Sequence, residues 1–196
     1  MAKKMSNTKK MLIEVARNLF AEKGKKEVTM NDIAEASKKG RRTLYTYFNN
    51  KEDIYKSVID KELDSILDCL NIVSKQKTEP DIKLTNHILT HLDAVKNVVN
   101  RNGSLKADFF HDIYEVERKR RKIDINEIAL IRSILKEGVE KNIFKRMDLD
   151  LSSVIIFYAI KGLEVPYIRQ NISSEFEKNK NYIVEFVFQG IKKKSN

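Results

Sequence analysis

Two groups of residues have types and spacings that could do chemistry. The segment 38–47 is rich in lysine, arginine and hydroxyl side chains, the donors that bind phosphate oxygens and the edges of nucleic-acid bases. His87 and His91 stand four residues apart, so a helix would place both imidazoles on one face. Such a pair can hold a metal ion when a third ligand approaches. It lacks the glutamate of a His-Glu-x-x-His motif, so a zinc hydrolase is not indicated.

Other motifs of catalysis are missing from the sequence. It contains no Walker loop, no Gly-x-Gly-x-x-Gly fingerprint and no Gly-x-Ser-x-Gly elbow, and it has 6 glycines in all. We therefore predict that the protein is not an enzyme and has no catalytic residues, no cofactor and no resident metal. For His87 and His91 two interpretations remain open: ordinary half-buried polar side chains, or contacts to a metal or a ligand.

The elements that must position the basic donors lie at 29–48. Thr29 and Asp32 have the spacing of a capping box at the start of a short helix. The apolar pattern then breaks, and Gly40 is expected to supply the turn. A second, basic helix begins at Arg41. Two short helices joined by a tight turn are typical of a helix-turn-helix, whose second helix enters the major groove of DNA.

Charge is concentrated in the same part of the chain. Residues 1–50 hold 12 lysines and arginines against 5 aspartates and glutamates, whereas the remainder holds 26 against 23. A basic segment on a nearly balanced body favours a nucleic-acid partner, because surface lysines kept only for solubility would not be so unevenly distributed.

A further pattern runs through the first third of the chain. Its residues are Ala16, Leu19, Phe20, Gly24, Thr29, Ile33, Ala34, Thr43, Leu44, Tyr45, Tyr47, Phe48, Lys51 and Glu52. In this order they resemble the DNA-binding domain of the tetracycline-repressor (TetR) family of bacterial regulators. The resemblance implies a three-helix DNA-binding head on an all-helical body that dimerises and binds a small inducer. Members of the family often read Ala-Gly-Val-Ser in the turn, where this chain has Ser37-Lys38-Lys39-Gly40.

The resemblance also implies which side chains contact DNA. The matching positions are Thr29, Arg41, Thr43, Tyr45, Tyr47 and Lys51, and charge and position add Lys38, Lys39, Gly40 and Arg42. We expect Arg41 or Arg42 to read a guanine edge, because a guanidinium offers a bidentate fork. Phosphates are expected to be held by Thr43, Tyr45, Tyr47 and Lys51.

The fold class is predicted to be all-α, with about nine helices. Helical spacing of apolar residues recurs throughout, and no stretch shows a convincing period of two. We expect a helix-turn-helix domain at 6–66 and a ligand-binding and dimerisation domain at 67–196. Within the second domain, the basic run 118–122 is expected to end one helix before another begins near Ile128.

Two late segments, 154–160 and 182–188, are apolar on most of a helical circumference. We predict that helices at about 148–170 and 174–193 form a four-helix bundle with a second copy of the chain, as the resemblance also implies. The interface residues would be Val154, Ile155, Tyr158, Leu163, Ile183, Val184, Val187 and Phe188. The alternative is a thick core in a monomer.

The resemblance implies an inducer cavity in the body, for which we select side chains by position. They are His87, His91, Phe109, Phe110 and Tyr114. The expected partners are double-stranded operator DNA, an unknown small-molecule inducer and a second copy of the chain. No membrane is expected, since no apolar run reaches the length of a span, and the single Cys69 suits the reducing cytoplasm.

The function predicted from these observations is a sequence-specific dimeric repressor, released from a palindromic operator by a small molecule. Two alternatives that also bind DNA remain: an activator, and a nucleoid-type protein that binds DNA without sequence preference. A further alternative is a helical adaptor or an enzyme whose basic head is incidental.

Overall fold

The chain is helical throughout the residues that the computed structural model describes, which are 6–103, 113–169 and 180–192. Eight helices lie in these ranges: α1 Asn7–Lys23, α2 Met30–Ala36, α3 Arg41–Tyr47, α4 Lys51–Ser74, α5 Pro80–Arg101, α6 Ile113–Glu140, α7 Leu149–Arg169 and α8 Lys180–Ile191. The described residues contain no strand beyond one isolated antiparallel bridge between Phe144 and Lys192. The all-α prediction is confirmed.

Local signals in the sequence set the limits of α1. The Ser6 hydroxyl accepts a hydrogen bond from the backbone N–H of Lys9 at 3.2 Å, which serves one of the donors left free at a helix start. Gly24 ends the helix with φ 85°, a conformation that costs glycine little, and its N–H bonds to the carbonyl of Phe20.

A small apolar core holds the first three helices together. Its side chains are Leu12, Ile13, Ala16, Phe20, Val28, Ile33, Leu44 and Phe48, each at most 3% exposed. Helix α1 packs against α2, and α2 packs against α3. The ring of Phe20 meets that of Tyr55 edge-on, with centroids 5.9 Å apart. This core fixes α3 as a surface helix whose inward side is closed by Leu44.

Helix α4 follows the third helix after a break at 48–50. The N–H of Asp53 donates to the Asn50 side chain at 2.9 Å, and the Asp53 carboxylate accepts from the N–H of Asn49 at 3.0 Å. These reciprocal bonds start α4 immediately after the helix-turn-helix.

The chain separates into two compact units. The first contains the described residues of Met1–Leu63 and Val98–Lys119, and the second contains those of Asp64–Asn97 and Arg120–Asn196. We call them the head unit and the body unit. The body unit has its own apolar core, formed by Leu84, Ile88, Leu92, Ile131, Ile134, Leu135, Phe144, Ile156, Phe157, Ile160, Tyr167 and Val184.

The prediction that the basic run ends a helix was wrong. Helix α6 continues through 118–122 to Glu140 without interruption. Arginine and lysine are good helix formers, and the run contains neither glycine nor proline, so charge alone does not end a helix. Helix α6 ends where the N–H groups of Ile143 and Phe144 both bond to the carbonyl of Gly138.

Among the described helices, none is both long enough and apolar enough to cross a membrane.

Candidate DNA-binding surface and buried polar cluster

The capping box predicted at the start of α2 is present. The Thr29 hydroxyl accepts from the N–H of Asp32 at 3.2 Å, and the Asp32 carboxylate accepts from the N–H of Thr29 at 2.7 Å. The Thr29 hydroxyl also donates to this carboxylate at 2.7 Å, and that bond together with the one from the Thr29 N–H lowers the pKa of Asp32 below its ordinary value. Thr29 is thereby fixed at the exposed N-terminus of α2.

The turn between α2 and α3 departs from the sequence interpretation. Gly40 was expected to supply the unusual backbone conformation, but its φ of −60° and ψ of 148° are open to any residue. The left-handed conformation falls on Lys38, with φ 53°. Lys38 occupies the position where the TetR-family turn often has its glycine, so the chain keeps the turn and accepts a strained lysine.

Helix α3 presents its basic and hydroxyl side chains outward. Arg41 and Arg42 are exposed, Tyr45 is 52% exposed, and Thr43 and Tyr47 are half-buried. The first turn of α3 contains no acidic residue, so its partial positive charge is unopposed by a side chain of that turn. The arrangement suits approach to a polyanion.

Lys38, Lys39 and Gly40 are also exposed, beside this helix in the chain. The predicted DNA-contacting residues of the turn and of α3 therefore form one short continuous stretch of sequence.

Lys51 has a structural task that sequence reasoning missed. Its ammonium donates to the carbonyl of Lys25 at 2.8 Å and to that of Lys26 at 3.1 Å. It therefore holds the loop between α1 and α2 against the start of α4. Beside it, Lys25 forms an ion pair with Glu52 at 2.8 Å. Backbone carbonyls give no sequence signal, which is why this contact was not foreseen.

In the body unit the two histidines of α5 lie in a buried polar cluster. His91 Nδ1 lies 2.7 Å from Glu127 Oε1, and His91 Nε2 lies 3.1 Å from Glu164 Oε1. His87 Nε2 lies 3.3 Å from the same Glu127 oxygen. All four side chains are at most 7% exposed. Arg120 closes the cluster through a bond of 3.1 Å to Glu164 Oε2. We call these five residues the polar cluster.

The geometry makes His91 an imidazolium. Each of its ring nitrogens faces a carboxylate oxygen, so both must donate. Burial would lower the pKa of His91, but the hydrogen bonds and charges of Glu127 and Glu164 outweigh it and raise that pKa to about 9. Burial would likewise raise the pKa of Glu127, but its hydrogen bonds to both histidines and the positive charge of His91 lower it to about 2.

A metal does not fit the polar cluster. Among the side chains that the structure describes, no group of three or more histidine, cysteine and acidic residues is arranged to hold one. The ring of His91 stands between its two carboxylates and uses both nitrogens for them. One ion could not contact both carboxylates without displacing that ring.

The structure does not describe the side chains of the other three predicted pocket residues. Phe109 and Phe110 lie outside the described residues, and Tyr114 lies on α6, where its side chain is outside the described set. Glu127 and Glu164, which join the histidines, were not selected from the sequence. They lie 36 and 73 residues from His91, so no local pattern links them to it.

The predicted interface residues fall into two classes. Ile155 and Tyr158 are 59% and 61% exposed, whereas Val184 is 5% exposed and belongs to the body core. The other five, which are Val154, Leu163, Ile183, Val187 and Phe188, are half-buried. Sequence reasoning missed Leu151, Tyr182 and Phe186, large apolar side chains that α7 and α8 also expose.

Comparison with known proteins agrees with the helix-turn-helix geometry. Residues 12–58 match the model of the family described as bacterial regulatory proteins, tetR family. The fatty acid metabolism regulator protein of Bacillus subtilis is 23% identical over 184 residues, covering 93% of this chain and 95% of that protein.

Two further matches extend over most of the chain. The HTH-type transcriptional repressor KstR2 of Mycolicibacterium smegmatis is 27% identical over 157 residues, covering 74% of this chain and 71% of that protein. The crystal structure of a transcriptional regulator from Cytophaga hutchinsonii superposes with a TM-score of 0.79 at 20% identity, covering 96% of this chain and 100% of that one. At that identity the superposition shows the fold. Taken with the capping box, the turn and the exposed basic helix, these matches identify residues 12–58 as a DNA-binding domain of the TetR family and the chain as a transcriptional regulator.

Proposed function

We propose that this regulator is a homodimeric, sequence-specific repressor that a small molecule releases from a palindromic operator in the cytoplasm. Residues 6–66 would bind the operator, and residues 67–196 would dimerise and bind the inducer. The observation that carries the proposal is the exposed α3, which opens with Arg41 and Arg42 and has no acidic residue in its first turn. The similar protein KstR2 is a transcriptional repressor, which supports repression over activation.

Sequence reading is assigned to the two arginines of α3. They stand at the end of the helix that enters the groove, and a guanidinium pairs in bidentate fashion with guanine O6 and N7. Lys39, exposed in the turn, is assigned to a phosphate, which fixes position without reading sequence.

Competition binding tests these assignments. Arg41→Ala, Arg42→Ala and Lys39→Ala are titrated with operator and random duplexes at several salt concentrations, the operator being mapped by footprinting upstream of the protein's own gene. At least one arginine variant should lose about 1–3 kcal/mol of preference at positions symmetric about the operator centre. Lys39→Ala should weaken both duplexes equally and reduce the salt slope by roughly one per subunit. If both arginine variants lose operator and random affinity in equal proportion, the two arginines are backbone clamps and do not read the sequence. A wild-type affinity for the operator close to that for random duplex would indicate a nucleoid-type binder.

Dimerisation is assigned to the apolar side chains that α7 and α8 expose. Leu151, Ile155 and Tyr158 recur at helical spacing on α7, and Tyr182 and Phe186 do so on α8, each between 58% and 69% exposed. Large apolar side chains exposed in a row mark a surface that another molecule covers. A second copy of the chain would bury them in an isologous interface.

A matched pair of isoleucines tests the dimer. Ile155 on α7 and Ile125 on α6 are both 59% exposed, so either can become glutamate without disturbing the core. Ile155→Glu should give monomers in sedimentation at micromolar concentration and lose operator binding, whereas Ile125→Glu should remain dimeric. Wild-type protein that sediments as a monomer would contradict the assignment.

The inducer site is assigned to the polar cluster of the body unit. Pockets for small molecules are mostly apolar with a few convergent polar groups, and these polar groups are set on helices whose neighbouring residues form the body core. The relative named for fatty acid metabolism favours a ligand with a long apolar part. A compound that raises the melting temperature and releases the operator would support the assignment. If substitutions in the polar cluster leave both responses to that compound unchanged, the assignment is wrong.

A further inference from the structure

The two histidines of α5 are chemically different, although they are equally buried and share a carboxylate. His91 has a partner at each ring nitrogen, whereas His87 bonds to Glu127 through Nε2 alone. His87 is 0% exposed, and no described residue forms a hydrogen bond with its Nδ1. A buried polar atom without a partner costs roughly 1–3 kcal/mol, so His87 burdens the folded chain unless something donates to it.

Charge balance sets the protonation of His87. Within the polar cluster the carboxylates of Glu127 and Glu164 are matched by the imidazolium of His91 and the guanidinium of Arg120. A positive charge on His87 would be an excess charge at a fully buried position, which is expensive. His87 is therefore neutral and donates through Nε2 to Glu127, so its Nδ1 is an acceptor.

The same balance limits what can approach His87. An anionic ligand would bring a negative charge next to two carboxylates whose counterions are already present. A ligand carrying only acceptors would place a lone pair against that of Nδ1. A neutral hydroxyl or amide group supplies the missing donor without changing the net charge.

We propose that His87 is the ligand-recognition residue of the body unit and that it accepts a hydrogen bond from a neutral ligand bearing an O–H or N–H donor on an apolar skeleton. This rests on the proposed function, whose inducer site it specifies. The remainder of the polar cluster has a positioning role. Glu127 holds His87 in the tautomer whose Nδ1 carries no proton. Glu164 keeps His91 protonated, and the His91 cation keeps Glu127 ionised.

Four compounds of one chain length test the ligand class: 1-decanol, decanamide, methyl decanoate and decanoate. Each is titrated into the full-length protein at pH 7, with affinity measured by calorimetry. Decanol and decanamide should bind about tenfold more tightly than methyl decanoate, which accepts but cannot donate, since one hydrogen bond is worth about 1 kcal/mol. Decanoate should bind more weakly than decanol. Tighter binding of decanoate, equal binding of the ester, or no binding by any of the four would overturn the proposal.

Two matched variants separate recognition from structure. His87→Leu removes an unpaired acceptor, so the melting temperature should stay the same or rise, while the preference for decanol over methyl decanoate disappears. His91→Leu removes the cation between two carboxylates and should lower the melting temperature strongly. If His87→Leu is as destabilising as His91→Leu, or keeps the preference for decanol, His87 is a structural residue and the proposal fails.

Operator binding measured on the same samples distinguishes the two proposals. If decanoate or the ester releases the operator, ligand-controlled repression stands and the donor hypothesis fails. If the donor series binds as expected but no compound affects the operator, the recognition chemistry stands and inducer control fails.

Discussion

The DNA-binding segment and the body unit are stabilised by different means. Over residues 6–48 the core is apolar, the buried polar side chain is Ser37, and hydrogen bonds between residues close in sequence complete the helix ends. The body unit buries two carboxylates and two imidazoles contributed by three helices. In the first arrangement the group with a shifted pKa at a helix end is the capping carboxylate of Asp32, which lies at the surface and not in the core. In the second, each buried charge is tolerated only because of its partners, so the body is the part whose core stability depends on a proton or a ligand.

The largest expected effect comes from breaking the polar cluster. Glu127→Gln removes the carboxylate that two histidines share and should cost about 3–5 kcal/mol, because it leaves the His91 cation incompletely compensated. The head-unit control is Lys61→Ala, which breaks a pair with Glu14 in which both side chains are more than 40% exposed. That change should cost about 1 kcal/mol or less. Urea denaturation of both variants measures the difference, and equal losses would remove the contrast.

Close apolar packing in the body gives the next effect. A methyl group added at Gly138 would stand 2.0 Å from Phe144 Cδ2, in a ring that is 2% exposed. Gly138→Ala should therefore destabilise by up to about 3 kcal/mol through overpacking. At Gly190, also in a helix, an added methyl group meets nothing within 4 Å. Gly190→Ala should leave the urea midpoint unchanged or raise it. A Gly138→Ala variant as stable as the wild type would show that Phe144 can move aside.

The dependence of stability on pH sharpens the comparison between the two parts. The pKa of His91 is about 9 in the folded chain and near 6.5 when unfolded, so its contribution is complete below pH 6.5 and is lost as pH rises towards 9. The pKa of Glu127 is about 2, so its contribution is present above pH 4.5 and is lost as pH falls. Stability should be greatest between about pH 4.5 and 6.5.

By pH 8 the loss should be on the order of 2 kcal/mol, which corresponds to a fall in melting temperature of several degrees. Thermal melts across this range measure it, with His91→Gln as the variant that should lose the alkaline decline. A wild-type melting temperature that is constant from pH 6 to 9 would contradict the imidazolium assignment.

The smallest effect lies in the turn of the DNA-binding segment. Lys38 has φ 53°, so Lys38→Gly should stabilise the chain by roughly 0.5–1 kcal/mol through relief of strain. Lys39 does not have a positive φ, and Lys39→Gly should destabilise by a similar amount because glycine gains freedom in the unfolded chain. Opposite shifts in the urea midpoint are expected. Shifts of the same sign would mean that the left-handed conformation carries little strain.

How much of each part could be predicted depends on how far apart in the sequence its contacting residues lie. The capping box of Thr29 and Asp32 joins residues three apart in the sequence, and the structure confirms it. The division of α6 was wrong because a change of polarity was taken as a change of structure.

Two features of the DNA-binding segment lay beyond sequence reasoning. Lys38 adopts the left-handed conformation, because the geometry of the turn decides which position needs it. The residue type at that position decides only how much free energy the conformation costs. The partners of Lys51 are carbonyl oxygens, which every residue has. In the polar cluster, the histidine spacing was visible in the sequence, but Glu127 and Glu164 reach it through the tertiary fold. That His87 and His91 lie near a ligand stays a prediction.

The position of His91 between two carboxylates also has a calorimetric consequence. At pH 8 the folded chain holds a proton on this ring that the unfolded chain does not, so unfolding releases about one proton per chain to the buffer. The measured heat of unfolding then includes the heat of protonating that buffer. An amine buffer takes up the proton with strong release of heat and phosphate with little. The apparent enthalpy should therefore be smaller in the amine buffer, and the two values should converge near pH 5, where both states of the chain hold the proton.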